Sequence, residues 1–177
     1  MIIETFIKAE PSNNKARVAF ALCLSGGIAL ALLSTIVPLY KGLVSIGGVI
    51  LLIAGIALFS KYVASVYYYD ITFDSYGAPI FVVRQVSGKR ESTLCRIDVA
   101  DIVKAEKETP KERRKHKTPF GYRKYSYLPT LMPKSTHRLT VHGKYENCEI
   151  IIECGDRLSG LLMEYSEEAR RMRTDCE

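Results

Sequence analysis

Two apolar runs open the chain. Between Arg17 and Lys41 lie 23 residues without a charge, and between Lys41 and Lys61 lie 19 more. At the rise of an α-helix they extend about 34 Å and about 28 Å, against a bilayer hydrocarbon core of roughly 30 Å. In hydrocarbon the backbone must satisfy its own hydrogen bonds, so each run is expected to be helical, over residues 18–40 and 42–62. Pro38, Lys41 and Gly42 interrupt the pattern and predict a tight turn. A buried pair of soluble helices this long would carry a polar face, and neither run has one.

After Tyr69 the period changes from helical to strand-like. Residues 70–73 alternate, with Ile71 and Phe73 on one face, and Asp74, Ser75, Gly77 and Pro79 supply turn chemistry. Residues 80–86 are rich in β-branched side chains, and Ser87, Gly88 and Lys89 predict the next turn. Further strands are expected at 93–97, 102–107, 122–128, 138–142 and 149–154. The segment between 107 and 122, with Pro110 and Pro119, is expected to be mostly loop. Leu158, Leu161, Leu162, Tyr165, Ala169 and Met172 then form a single helical stripe, with Asp156 as the expected N-cap. Residues 1–16 are mixed: a small interfacial helix bearing Ile2, Ile3, Phe6 and Ile7, an added edge strand and disorder all fit them.

Six or seven short strands closed by one amphipathic helix follow the order of a pleckstrin-homology-like (PH-like) barrel. The chain resembles bacterial membrane proteins in which a helical hairpin precedes a PH-like domain. The likeness rests on YYYDITF at 67–73, TLCRIDVADIVKAEKE at 93–108 and CEIIIECGDRLSGLLMEY at 148–165. It implies a transmembrane hairpin over 17–66 and an antiparallel, barrel-like α+β domain over 67–177 that serves binding or assembly, with no activity carried over. The competing architecture is an open α+β sheet with a helix on one face.

Charge gives the expected orientation. Lys8, Lys15 and Arg17 precede the first run and Lys61 closes the second, whereas the turn offers Lys41 alone. By the positive-inside rule both termini face the cytoplasm, in a multi-pass protein of the bacterial inner membrane. Tyr62, Tyr67, Tyr68 and Tyr69 are expected as an aromatic belt at the end of the second span. The first run is too long for the apolar region of a cleaved signal peptide, and residues 34–40 lack a small-x-small cleavage pattern. Ala21, Ser25 and Ala29 in one run, with Gly47 and Gly55 in the other, would let the helices pack on each other or on a partner span.

The net charge of +6 is equally uneven. Residues 104–124 hold nine basic and three acidic side chains and so carry the entire excess. Lys111, Arg113, Arg114, Lys115, Lys117, Arg123 and Lys124 are the candidate contacts for anionic lipid headgroups, with Phe120, Tyr122 and Tyr125 able to dip into the interface. The plainer reading is a solvated loop. Nucleic acid is disfavoured, since neither a groove-reading helix nor a stacking platform is evident.

Little else suggests chemistry. No acidic, Arg or His side chain lies inside either run, which argues against transport. His137 and His142 fall on opposite faces of one strand and cannot share a metal ion. Five cysteines without CxxC spacing argue against a zinc site or a disulfide framework. Asp98 and Asp101 are read as turn caps rather than a catalytic pair. The expectation is a non-enzymatic, cofactor-free, membrane-anchored module presenting its PH-like domain to a protein partner or to a second copy. The alternative is an anionic-lipid-responsive sensor reading through residues 104–124.

Overall fold

The computed structural model describes residues 5–9, 14–36 and 41–174. The chain divides into two compact units. One is Pro11–Ser65, and the other joins Met1–Glu10 to Val66–Glu177.

The first unit is a pair of helices, α1 (Asn14–Ile36) and α2 (Lys41–Tyr62), both long and apolar enough to cross a membrane. Residues 37–40, expected to finish the first run, lie outside the described residues. Lys41 and Gly42 belong to α2, where the sequence predicted a turn. The helices pack antiparallel: Phe20 meets Phe59 with ring centroids 5.1 Å apart, and Gly27 lies against Gly48 and Leu52. Contact this close needs glycine. A Cβ on Gly27 would lie 2.8 Å from Leu52, and one on Gly55 would lie 3.2 Å from the Cβ of Cys23. Most of the remaining surface is aliphatic and exposed, including Leu22, Ile36, Leu43 and Ile56 at 65–73 %.

The second unit is built on two sheets. The first holds β1 (Thr5–Ala9), β2 (Ser65–Phe73), β3 (Pro79–Ser87) and β4 (Arg90–Asp98), in that order. Of the three readings open for the N-terminal segment, the edge strand is the one found, with Thr5 opposite Ile71 and Ala9 opposite Tyr67. The expected β3–β4 turn forms at Gly88, whose φ of +61° suits glycine. The second sheet holds β5 (Ile102–Glu108), β6 (Tyr122–Tyr127), β7 (Thr136–His142) and β8 (Asn147–Ile152) in the order β5–β7–β8–β6.

Two expectations are corrected here. The strands make two separate sheets, so their hydrogen-bond ladder does not close into a barrel. They are also not all antiparallel, because β6 joins β8 in parallel, Tyr122 beside Asn147 through to Tyr127 beside Ile152. A parallel neighbour needs a long crossover, and the intervening β7 hairpin provides it.

The core lies between the sheets. Tyr69, Ile71, Phe81 and Val83 cluster with Leu139, Val141, Ile150 and Ile152. Tyr69 therefore belongs to the domain interior with Tyr67, not to an aromatic belt, and its hydroxyl donates to Tyr127 O at 2.7 Å. The last helix, α4 (Asp156–Thr174), closes the unit as its stripe predicted. Leu158 and Leu162 are fully buried, each contributing roughly 1.5–3 kcal/mol. Ser166 is equally buried and donates to Ile102 O at 2.6 Å, whereas Met172 at the end of the stripe is exposed. Asp156 does not cap the helix with its side chain as expected. Its carboxylate turns to Lys107 at 2.8 Å and His137 at 3.2 Å.

Candidate functional site

The basic segment is more ordered than a solvated loop. Thr109 and Glu112 form a reciprocal capping box: the Thr109 N–H donates to Glu112 Oε2 at 2.7 Å, and the Glu112 N–H to Thr109 Oγ1 at 3.4 Å. With Pro110 in the first turn, they start a short helix, α3 (Pro110–Lys115). The Thr109 backbone N–H, and after it the Thr109 hydroxyl donating to Oε2 at 2.8 Å, hold the Glu112 carboxyl below its ordinary range. Just after α3, His116 Nε2 lies 2.8 Å from Oε1 of Glu149 on β8. That contact ties the segment to the outer face of the second sheet.

Beneath it lies a charged network that sequence reading did not detect. Arg138 on β7, Glu108 on β5 and Glu149 on β8 are each at least nine-tenths buried. Arg138 pairs with Glu108, and its Nη1 is 3.8 Å from Glu149. The register explains the grouping: Arg138 and Glu149 point out of the same face on neighbouring strands, and Glu108 sits opposite Thr136, two positions from Arg138. Burial holds the Arg138 guanidinium below its ordinary pKa, with Glu149 and then Glu106 opposing that shift. An open cleft of about 450 Å³ adjoins the network, lined by Glu106, Glu108, Glu112, Lys115, His116 and Arg138 among others.

The candidate cations divide. Lys111, Arg114, Lys115, Lys117 and Lys124 are exposed, and Arg113 is half-buried. Arg123 is exposed but ion-paired to Glu146 at 3.1 Å. The three aromatic candidates divide as well. Tyr122 donates or accepts at His142 Nε2 (2.5 Å), and the Tyr125 hydroxyl donates to Glu146 at 3.0 Å while its ring stacks on Tyr127. Phe120 alone is fully exposed. Among the helix-packing candidates, Gly55 sits in the α1–α2 contact and Gly47 at its margin, 3.7 Å from Leu30 for a built Cβ. Ala21, Ser25 and Ala29 are exposed, and Gly27 with Gly48 takes the place expected of them.

One cluster has the outline of a nucleophilic site. Cys154 Sγ is 3.4 Å from His137 Nδ1, and His137 Nε2 is 3.2 Å from Asp156. Burial, reinforced by Asp156, pushes the Cys154 thiol up to about 12. A reactive cysteine needs the opposite shift, because the thiolate is the nucleophile. The contact between the thiol and His137 therefore serves the fold rather than a nucleophile. Asp98 and Asp101 do act at a turn: Asp98 Oδ1 accepts from Ala100 N at 3.0 Å, and Arg173 of α4 bridges both carboxylates. Among the described residues no group of three or more His, Cys, Asp or Glu is placed to hold a metal ion.

No protein-family profile, curated protein or solved structure matches the chain.

Proposed function

We propose that the chain is a non-catalytic, membrane-anchored module that holds a PH-like domain at the cytoplasmic leaflet of a bacterial inner membrane for a protein partner. The observation that carries this reading is the α1–α2 surface. Its helices meet through glycine, and most of their large aliphatic side chains face outward. Such a surface is costly in water and suited to hydrocarbon. The flanking charge supports cytoplasmic termini: Lys15 and Arg17 precede the apolar part of α1, and Lys61 ends α2. Ala21, Ser25 and Ala29 leave a small-residue face for a partner span or a second copy.

Two sheets around one core with a C-terminal helix across them support a PH-like domain, despite the parallel β6. The absence of catalysis is inferred from the chemistry of the best candidates, a protonated thiol at Cys154 and carboxylates neutralised by Arg138. The experiment is side-specific labelling. A cysteine placed at exposed Ser92 on β4 should react with a membrane-impermeant maleimide only after the cells are opened.

A second reading, response to anionic lipid, is favoured by the exposure of Lys111, Arg114, Lys115, Lys117 and Lys124 on an ordered segment. Each cation near an anionic leaflet gains about 1 kcal/mol.

A further inference from the structure

Two turns at one end of the second sheet each present an aromatic ring to solvent. The first is Pro119-Phe120-Gly121-Tyr122, closed by the Tyr122 N–H donating to Pro119 O at 3.2 Å. Gly121 takes φ +83°, the left-handed value that the third residue of a type II turn requires, and this leaves Phe120 at the apex. The second is the β7–β8 hairpin, closed by Gly143 N–H donating to Glu146 O at 3.2 Å, with Lys144 and Tyr145 at its tip. Phe120 is 105 % exposed and Tyr145 93 %. The parallel register sets Tyr122 beside Asn147, so the residues two positions earlier, Phe120 and Tyr145, come to the same end of the sheet.

Charge surrounds the pair. Residues 117–124 and 143–146 hold four cations, Lys117, Arg123, Lys124 and Lys144, against the single carboxylate of Glu146, which Arg123 already engages. Rings of this kind settle at a headgroup boundary with lysine around them. Protein–protein interfaces are depleted in lysine, whereas lysines surround these rings, Lys144 Nζ lying 5.9 Å from the centroid of the Tyr145 ring.

We infer that the Phe120–Tyr145 tip inserts into the headgroup region of an anionic bilayer, with Lys117, Lys124 and Lys144 pairing lipid phosphates. The inference rests on the membrane-anchored reading, because the tether supplies the high effective concentration that lets two rings and a few cations suffice. It also identifies Tyr145 and Lys144 as contacts outside the basic segment, and removes Tyr122 and Tyr125, whose hydroxyls are engaged within the domain.

The chain has no tryptophan, so one introduced indole reports alone. The full chain carrying Phe120→Trp or Tyr145→Trp is placed in nanodiscs of phosphatidylcholine, or of an equimolar mixture with phosphatidylglycerol. Tyr76→Trp, at an equally exposed turn after β2, is the control. Both tip variants should shift to the blue and be quenched by brominated lipid in anionic discs. The shift should be lost in high salt or after Lys117→Gln with Lys144→Gln, while the control stays solvent-like throughout. Solvent-like emission from the tip in anionic discs overturns the inference. So does a blue shift that ignores lipid charge, which would signal contact with a second copy. Failure of the full chain to enter discs of either composition would instead overturn the anchor.

Discussion

Arg138 is the residue whose surroundings most constrain the domain. Two carboxylates, Glu108 and Glu149, are buried against it, and His116 approaches from the covering segment. Removing one partner from a buried charge network leaves the others desolvated and uncompensated, which typically costs about 3–5 kcal/mol. Arg138→Ala should therefore destabilise the domain by that amount in urea unfolding of the full chain in detergent. A loss below about 1 kcal/mol, the range of surface ion pairs, would mean the network is wetter than its burial indicates. In sequence, Arg138 reads as one more polar position on a strand. Its burial comes from α3 and the residues after it covering that face, which a strand pattern cannot register.

The cysteines make a second residue-scale prediction. Burial pushes Cys95 up to about 11 and Cys154 up to about 12, whereas an unfolded thiol titrates near 8.5. Between those values the unfolded chain has lost protons that the folded chain retains. Folding stability is thus full below about pH 8.5 and falls as pH rises towards 11–12. Tyr69 and Tyr127, also raised chiefly by burial, act in the same direction at higher pH. The thermal midpoint should drop steadily above pH 8.5, and less steeply in Cys154→Ala. A midpoint flat to pH 11 would contradict the burial of these thiols.

At the scale of elements, local pattern was a good guide wherever one element decides its own fate. The two apolar runs, the Gly88 turn and the α4 stripe were all legible, because spacing and turn chemistry act within a few residues. The helix contact was legible in kind but not in place. Small residues marked it, yet Ala21, Ser25 and Ala29 face outward while Gly27 and Gly48 meet. Which face of an all-apolar helix turns inward is set by the partner helix, and no polar side exists to betray it. The Cys23–Gly55 approach tests the packing directly. Gly55→Cys should form an intrachain disulfide with Cys23 under mild oxidant in detergent or membranes, since the Cβ separation of 3.2 Å is only slightly short of the usual range of about 3.5–4.5 Å and a small shift of the helices restores it. Adding Gly27→Leu should abolish it by driving a side chain into Leu52. Absence of the cross-link in the single variant would exclude this helix pairing.

For the whole molecule, the sequence carried the order of elements better than their pairing. The seven expected strands are present, and the N-terminal strand joins them, but the parallel β6–β8 pair was unreadable. It links residues about 25 positions apart across an intervening strand, and no alternation pattern encodes a partner. That pair is what brings Phe120 to Tyr145, so the candidate tip became visible only with the topology. Within the basic segment, charge was legible and order was not, although the Thr109–Glu112 spacing and Pro110 spelled out a helix start. The two helices long and apolar enough to cross a membrane lie at the other extreme, written in length and composition alone.

The central claim is that two apolar helices pin this domain to the inside of a membrane, and side-specific labelling tests it most directly. In a chain with Cys176→Ser and Ser92→Cys, impermeant maleimide is added to intact cells, to opened cells and to membranes washed with alkaline carbonate. The account predicts that the chain stays with the washed membranes, and that labelling above the level of the unsubstituted Ser92 chain appears only once the cells are opened. Labelling in intact cells, or recovery of the chain in the carbonate supernatant, would contradict it.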